Sequence, residues 1–356
     1  MNKELRLPVL IRPGTEAPEL PVAGSEYGPL TRKDSLTGTP SFASRFRFGR
    51  APSFHLQMAY ASGAILVVSV VGCRLTSVSI PDAANVSIGF AFALATILPL
   101  LFYLKEKKLF SLVDSILTIL WAFFLFYMLP FPATIAARLG RHIDLQDSHF
   151  LQWDSMFGVN APKIIAWVSQ FGLDRFLFRT YFMLFPLMQI CILLPILAGK
   201  VKLAQHFLIA NFVAFAIGLP LFALLPAIGP WYGFHLLARP DQEASQALLL
   251  VIRRSDHYLY QYPSGIICFP SFHVIWAIFC AHTLWGFPLL RIPGAILCGL
   301  IIFSTLSTGE HYFCDLLAGV LVAVAALGTL KLVSRFLQPR NLNPEATFRQ
   351  SNTREL

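Results

Sequence analysis

Apolar residues run along this chain in blocks of about bilayer thickness, separated by short polar breaks. After a polar stretch that ends near residue 55, eight segments are 17 to 25 mainly apolar residues long, about the length a helix needs to cross the hydrocarbon. They are 56–73, 85–104, 109–130, 177–198, 203–225, 270–288, 290–307 and 312–336. The pattern predicts an all-α fold, a polytopic membrane bundle of about eight transmembrane helices. The tightest reversal is Pro288 to Pro293. One helix through both flanking segments would exceed the bilayer, so a re-entry is expected there.

The polar breaks set the organisation. Residues 1–55 are rich in Pro, Gly, Ser, Thr and charge, with no apolar period, and are expected to be a disordered basic tail because they bury too little to offset the entropy of ordering. The first apolar run begins too far along for a secretory signal. Residues 56–104 then read as two accessory transmembrane helices, 105–336 as the membrane domain that holds the chemistry, and 337–356 as a polar C-terminal tail. The connections 131–176 and 226–269 are long enough to be functional. Within the first, His149 to Phe171 contains Trp153 and Trp167, which predicts a helix lying in the membrane interface and roofing a site. No repeat of 20 to 50 residues recurs.

Composition agrees with a lipid solvent: 56% of residues are hydrophobic and 13% charged, and the mean hydropathy is +0.62. The net charge of +9 does not indicate nucleic acid, because the basic residues are dispersed at loop ends and form no face with interleaved aromatics. It indicates orientation. Assigning loops alternately to the two sides gives 19 Lys and Arg on the side of both termini and 9 on the other, so the positive-inside rule puts both termini in the cytoplasm. The six cysteines form no C-x-x-C pair. Cys73, Cys191, Cys280 and Cys298 read as small buried hydrophobes, while Cys268 and Cys314 adjoin the motifs below, where a disulfide would need a Cβ geometry that sequence does not supply.

The chemistry concentrates between Cys268 and Gly319. A Phe269-Pro270-Ser271-Phe272-His273 run and a His311-Tyr312-Phe313-Cys314-Asp315 run flank two apolar segments. His273 and His311 are 38 positions apart, enough for one helix to cross and a second to return, so both imidazoles finish on one membrane face. Asp315, four residues after His311, sits one helical turn along and can pair with it. A His held by a carboxylate and facing a second His is a nucleophile-and-acid arrangement. Arg253 and Arg254, just upstream of the first block, and backbone amides near Ser271 and Phe272 are candidate binding groups for an anion. His55, His142, His149, His206, His235, His282 and Asp114 read as structural, and Glu310 is an odd neighbour for an anion.

In these two blocks the chain resembles the type 2 phosphatidic acid phosphatase superfamily of membrane enzymes, and within it the inositol phosphorylceramide synthase-like branch, whose blocks read Phe-Pro-Ser-x-His and His-Tyr-Phe-x-Asp. The resemblance covers the last two thirds of the chain. It implies a six-helix core, with His311 attacking phosphorus, Asp315 orienting it and His273 protonating the leaving oxygen. Leu225 to Trp231 resembles a proline-rich block of that branch. Two features of the superfamily's phosphatases are missing. Thr305 stands where they carry an Arg six residues before the nucleophile, and Arg239-Pro240 matches the end of their Lys-to-Arg-Pro block but with Tyr232 in place of the Lys.

Together these readings give an integral-membrane lipid phosphotransferase working through phosphohistidine, without metal or cofactor, on a phospholipid or other lipid phosphate. With water as acceptor the same site is a lipid phosphate or prenyl diphosphate phosphatase. A zinc or iron enzyme is disfavoured for want of a dense His cluster, and a transporter because polar residues gather at one face instead of mid-membrane. The expected location is a membrane such as the bacterial inner membrane, with the site on the periplasmic or lumenal face. Donor, acceptor and oligomeric state are not legible.

Overall fold

A computed structural model describes residues 54–79, 104, 106, 108–128, 130–261 and 265–337. Of the tail expected over 1–55 only Phe54 and His55 are described, and they are helical; almost all of the 85–104 span and the C-terminal tail beyond Leu337 lie outside these residues. Within them the fold is all-α apart from one two-residue parallel pairing, Val78–Ser79 with Tyr258–Leu259.

The helices are α1 (Phe54–Thr76), α2 (Phe110–Met128), α3 (Pro130–Leu139), α4 (Asp147–Met156), α5 (Ala161–Gln170), α6 (Asp174–Phe182), α7 (Leu184–Leu197), α8 (Val201–Leu224), α9 (Pro230–Gly233), α10 (Pro240–Arg254), α11 (Phe272–Leu284), α12 (Arg291–Ser307) and α13 (Phe313–Leu337). Among the described residues six stretches are long and apolar enough to span a membrane: Phe54–Thr76, Phe110–His142, Asp174–Leu197, Val201–Leu224, Pro288–Ser307 and Phe313–Leu332. Their outward faces stay apolar, with Val67, Phe123, Ile292 and Leu321 each more than 60% exposed. Water does not tolerate such a surface and lipid does. The chain is an integral membrane protein.

α11 is the exception in length and the centre in position. Its 13 residues rise about 20 Å, short of the roughly 30 Å hydrocarbon. The sequence expectation of a full span over 270–288 is therefore corrected. Ser271 starts the helix as N-cap, and at the far end Trp285 to Phe287 turn into the short 3-10 segment Pro288–Leu290. The helix packs against α7, α8, α12 and α13, burying Ile275, Phe279 and Leu284 among Phe207, Phe215, Cys191, Ile301 and Val322. With eight of its thirteen residues buried, it depends on its helical neighbours more than on lipid.

The two long connections are structured, as expected, but differently built. The interface helix expected over 149–171 is two helices, α4 and α5. Gly158 takes a left-handed φ of +71°, and Asn160 Oδ1 then caps α5 by accepting from the Lys163 N–H at 3.0 Å. α3 continues the α2 stretch and packs against α1, α8 and α10. At its end Arg138 is almost wholly buried and donates to the carbonyls of Thr76, Ile252, Ser255 and Asp256. One guanidinium thus closes the C-terminal ends of α1 and α10, where carbonyl oxygens lack helical partners.

Candidate active site

α11, α13 and the segment before α11 converge on one cluster. The Ser271 N–H donates to the Asp315 carbonyl at 3.1 Å, which fastens the start of α11 to the first turn of α13. Gly319 permits this approach: a Cβ there would meet the Ser271 oxygen at 2.8 Å. His273 lies in the first turn of α11, its ring stacked on Tyr181 of α6 at 4.0 Å and tilted toward His311, with centroids 5.6 Å apart. The Nε2 of His273 is buried without a hydrogen-bond partner among the described residues. For a polar atom that is costly, unless another molecule supplies the partner.

His311 is oriented by the backbone. Its Nδ1 lies 2.9 Å from the Cys268 carbonyl oxygen. A carbonyl only accepts, so Nδ1 carries the proton and Nε2 keeps the free lone pair. This refines the expected role of Asp315. α13 begins at Phe313, after His311, and the carboxylate oxygen stands 3.6 Å from Nδ1, within electrostatic reach but beyond a hydrogen bond. Asp315 is fully buried and accepts from the Tyr312 N–H at 2.8 Å and the Cys268 thiol at 3.1 Å. It thereby fixes the loop that carries the histidine.

Two carboxylates that sequence reading missed build the next layer. Asp154 of α4 accepts from the N–H groups of Phe313 and Cys314 at 2.8 and 2.9 Å, capping α13 from outside. Asp147 accepts from the N–H groups of Ile228 and Gly229 and from the Tyr312 hydroxyl. Gly229 has φ +141°, a backbone that favours glycine. Burial pushes both carboxyls up from the ordinary carboxylate range, and the N–H donors pull them back. The signal was present: Asp147, Phe150, Leu151 and Asp154 follow the i, i+3, i+4, i+7 spacing of one helix face.

Arg253 and Arg254, expected to hold a phosphate, are not brought to the histidines. Arg253 Nη2 donates to the Ile143 carbonyl, and Arg254 is exposed. Both end α10, about 21 Å along its axis from Arg239 at its start. Arg239 is a cation beside the site. It pairs with Glu310 and Asp241, donates to the Thr308 carbonyl at 2.8 Å, and lies over the Phe178 ring. Glu310, next to His311, also accepts from Gln242 at 3.0 Å. Burial raises its carboxyl above the usual range, and Arg239 opposes that. Of the amide donors expected near Ser271 and Phe272, the structure gives the Ser271 N–H an acceptor within the protein, the Asp315 carbonyl. The Phe272 ring stacks on Phe215 in the core. Thr305 is wholly buried, and its carbonyl accepts from the Glu310 and His311 N–H groups. Cys268 and Cys314 are free thiols.

The fold and this cluster define a class: a polytopic helical membrane protein with two facing imidazoles beside a buried carboxylate. The PAP2 superfamily matches residues 148–329, just over half of the chain and all of the cluster except Asp147. The chain belongs to the PAP2 superfamily. Comparison with curated proteins and with solved structures finds no significant match.

Proposed function

We propose that the protein is a membrane phosphotransferase of the inositol phosphorylceramide synthase-like kind, moving the phosphorylated head group of a phospholipid to a hydroxyl acceptor. The observation that carries the chemistry is the histidine pair. His311 has its Nδ1 tied to a carbonyl, so Nε2 is free, and 5.6 Å away His273 has a buried, unpartnered Nε2. In the first step His311 Nε2 forms a bond to phosphorus while the phosphorus–oxygen bond to the leaving alcohol breaks, and protonated His273 gives that oxygen its proton. In the second, the acceptor hydroxyl loses its proton to His273 and attacks phosphorus, and the phosphorus–nitrogen bond breaks. If water is the acceptor, the same two steps make a phosphatase.

The charge balance supports a diester donor. Arg239, the guanidinium beside the histidines, already faces Glu310 and Asp241, and Thr305 occupies the position where the superfamily's phosphatases carry another Arg. A monoester dianion is poorly served by such a site, and a diester with one charge less so. Purified protein is expected to turn over a phospholipid diester, faster with added alcohol, in preference to phosphatidic acid or a prenyl monophosphate. Glu310→Gln removes the competing charge and should raise the monoester-to-diester ratio about 10-fold, the scale of a charged hydrogen bond. This is a cleaner test than Thr305→Arg, because position 305 has no room. Wild-type protein that released phosphate from monoesters faster than it handled any diester would establish the phosphatase.

The 19 to 9 distribution of Lys and Arg supports cytoplasmic termini and a site on the opposite face. A cysteine introduced at Asn160 should react with a membrane-impermeant thiol reagent added to intact cells, and one at Ser351 should not. Labelling of the Ser351 position alone would invert the orientation.

A further inference from the structure

The proposed reaction uses the Cys268 carbonyl and has no use for the Cys268 thiol. Yet that thiol is buried against the two residues on which the chemistry depends. The ligand atoms of Cys268, His311 and Asp315 all lie within 4.8 Å of one another. The Sγ–Oδ2 separation is 3.1 Å and the Nδ1–Oδ2 separation 3.6 Å. In a tetrahedral zinc site with Zn–S of about 2.3 Å and Zn–N or Zn–O of about 2.0–2.2 Å, donors stand about 3.3–3.6 Å apart. The three come from separate parts of the fold: Cys268 from the stretch before α11, His311 from the α12–α13 turn and Asp315 from α13.

We propose that Cys268, His311 and Asp315 form an inhibitory site for a thiophilic divalent cation of the zinc class, mutually exclusive with phosphoryl transfer. Binding releases the thiol proton, and the thiolate and carboxylate together neutralise the cation, which suits buried ligands. The imidazole must ligate through Nδ1, the atom facing Asp315. Its proton therefore moves to Nε2, and the hydrogen bond to the Cys268 carbonyl is given up. With Nε2 protonated, His311 has no lone pair to direct at phosphorus. A fourth position is open to water or to a phosphate oxygen.

The binding claim stands apart from the proposed function, whereas the inhibition rests on it, so the two are read separately. Cobalt(II), a spectroscopic stand-in for zinc, is titrated into purified protein without substrate. One equivalent should produce a near-ultraviolet thiolate-to-cobalt band that zinc abolishes by displacement. Cys268→Ala should lose the band and bind zinc more weakly by more than the roughly 100-fold that loss of an outer partner costs, while Cys191→Ala keeps the band. Melting temperature controls for folding: zinc should raise it in wild type and leave it unchanged in Cys268→Ala. Absence of the band in wild type, or its survival in Cys268→Ala, overturns the site. In turnover assays zinc should inhibit wild type reversibly on chelation, and whatever activity Cys268→Ala has should no longer fall with zinc. Activation of wild type by zinc would overturn the inhibitory role.

Discussion

Replacing His311 with alanine is expected to abolish the phosphoenzyme and lower turnover on the order of 10⁶-fold, the scale seen when an enzyme's nucleophile is removed. The residue sits in a loop fixed by Asp315, with Nδ1 bound to a carbonyl. His273→Ala should behave differently. A general acid matters in proportion to the basicity of the leaving group, so the loss should be large for phospholipids and small for aryl phosphates. Acid-labile, base-stable label on the protein after incubation with labelled lipid would report phosphohistidine. Label that persists in His311→Ala, or equal losses of His273→Ala on both kinds of substrate, would assign the two imidazoles to binding.

The second large effect concerns stability. Arg138→Ala should destabilise the protein by about 3–5 kcal/mol, because a buried charge serves four backbone carbonyls that keep no other donor when it goes. Those carbonyls end α1 and α10, and α10 carries Arg239 to Glu310, so activity should fall at temperatures below the melting point of the variant. Arg138→Lys keeps the charge but has one point donor in place of a fork, and should recover only part of the loss. Thermal melting in detergent measures both. A melting temperature unchanged in Arg138→Ala would show that these carbonyls find water instead.

Sequence alone determined the solvent, the fold class and the location of the candidate site. Lipid was legible because hydrocarbon must be crossed by unbroken apolar runs, and the spans now seen at Phe54–Thr76, Val201–Leu224 and Phe313–Leu332 lie close to those expected. His273 and His311 were legible as a pair because helix length relates spacing to membrane side. The expected pairing through Asp315 was only partly legible. Whether His311 lies inside a helix depends on where α13 starts, and Asp154, distant in sequence, decides that.

Tertiary structure alone decided which cation stands by the site. Arg253 and Arg254 are nearer His273 in sequence than Arg239 is, but α10 is a rigid rod of 15 residues, and only its N-terminal end meets Glu310. The short central helix was likewise hidden. The apolar count over 270–288 is that of a full span, and only packing against α7, α8, α12 and α13 makes a 13-residue helix sufficient. Periodicity and composition report what each segment dissolves in. Which ends meet is set by helix lengths, caps and close approaches such as Gly319 against Ser271, which act between residues far apart in the chain.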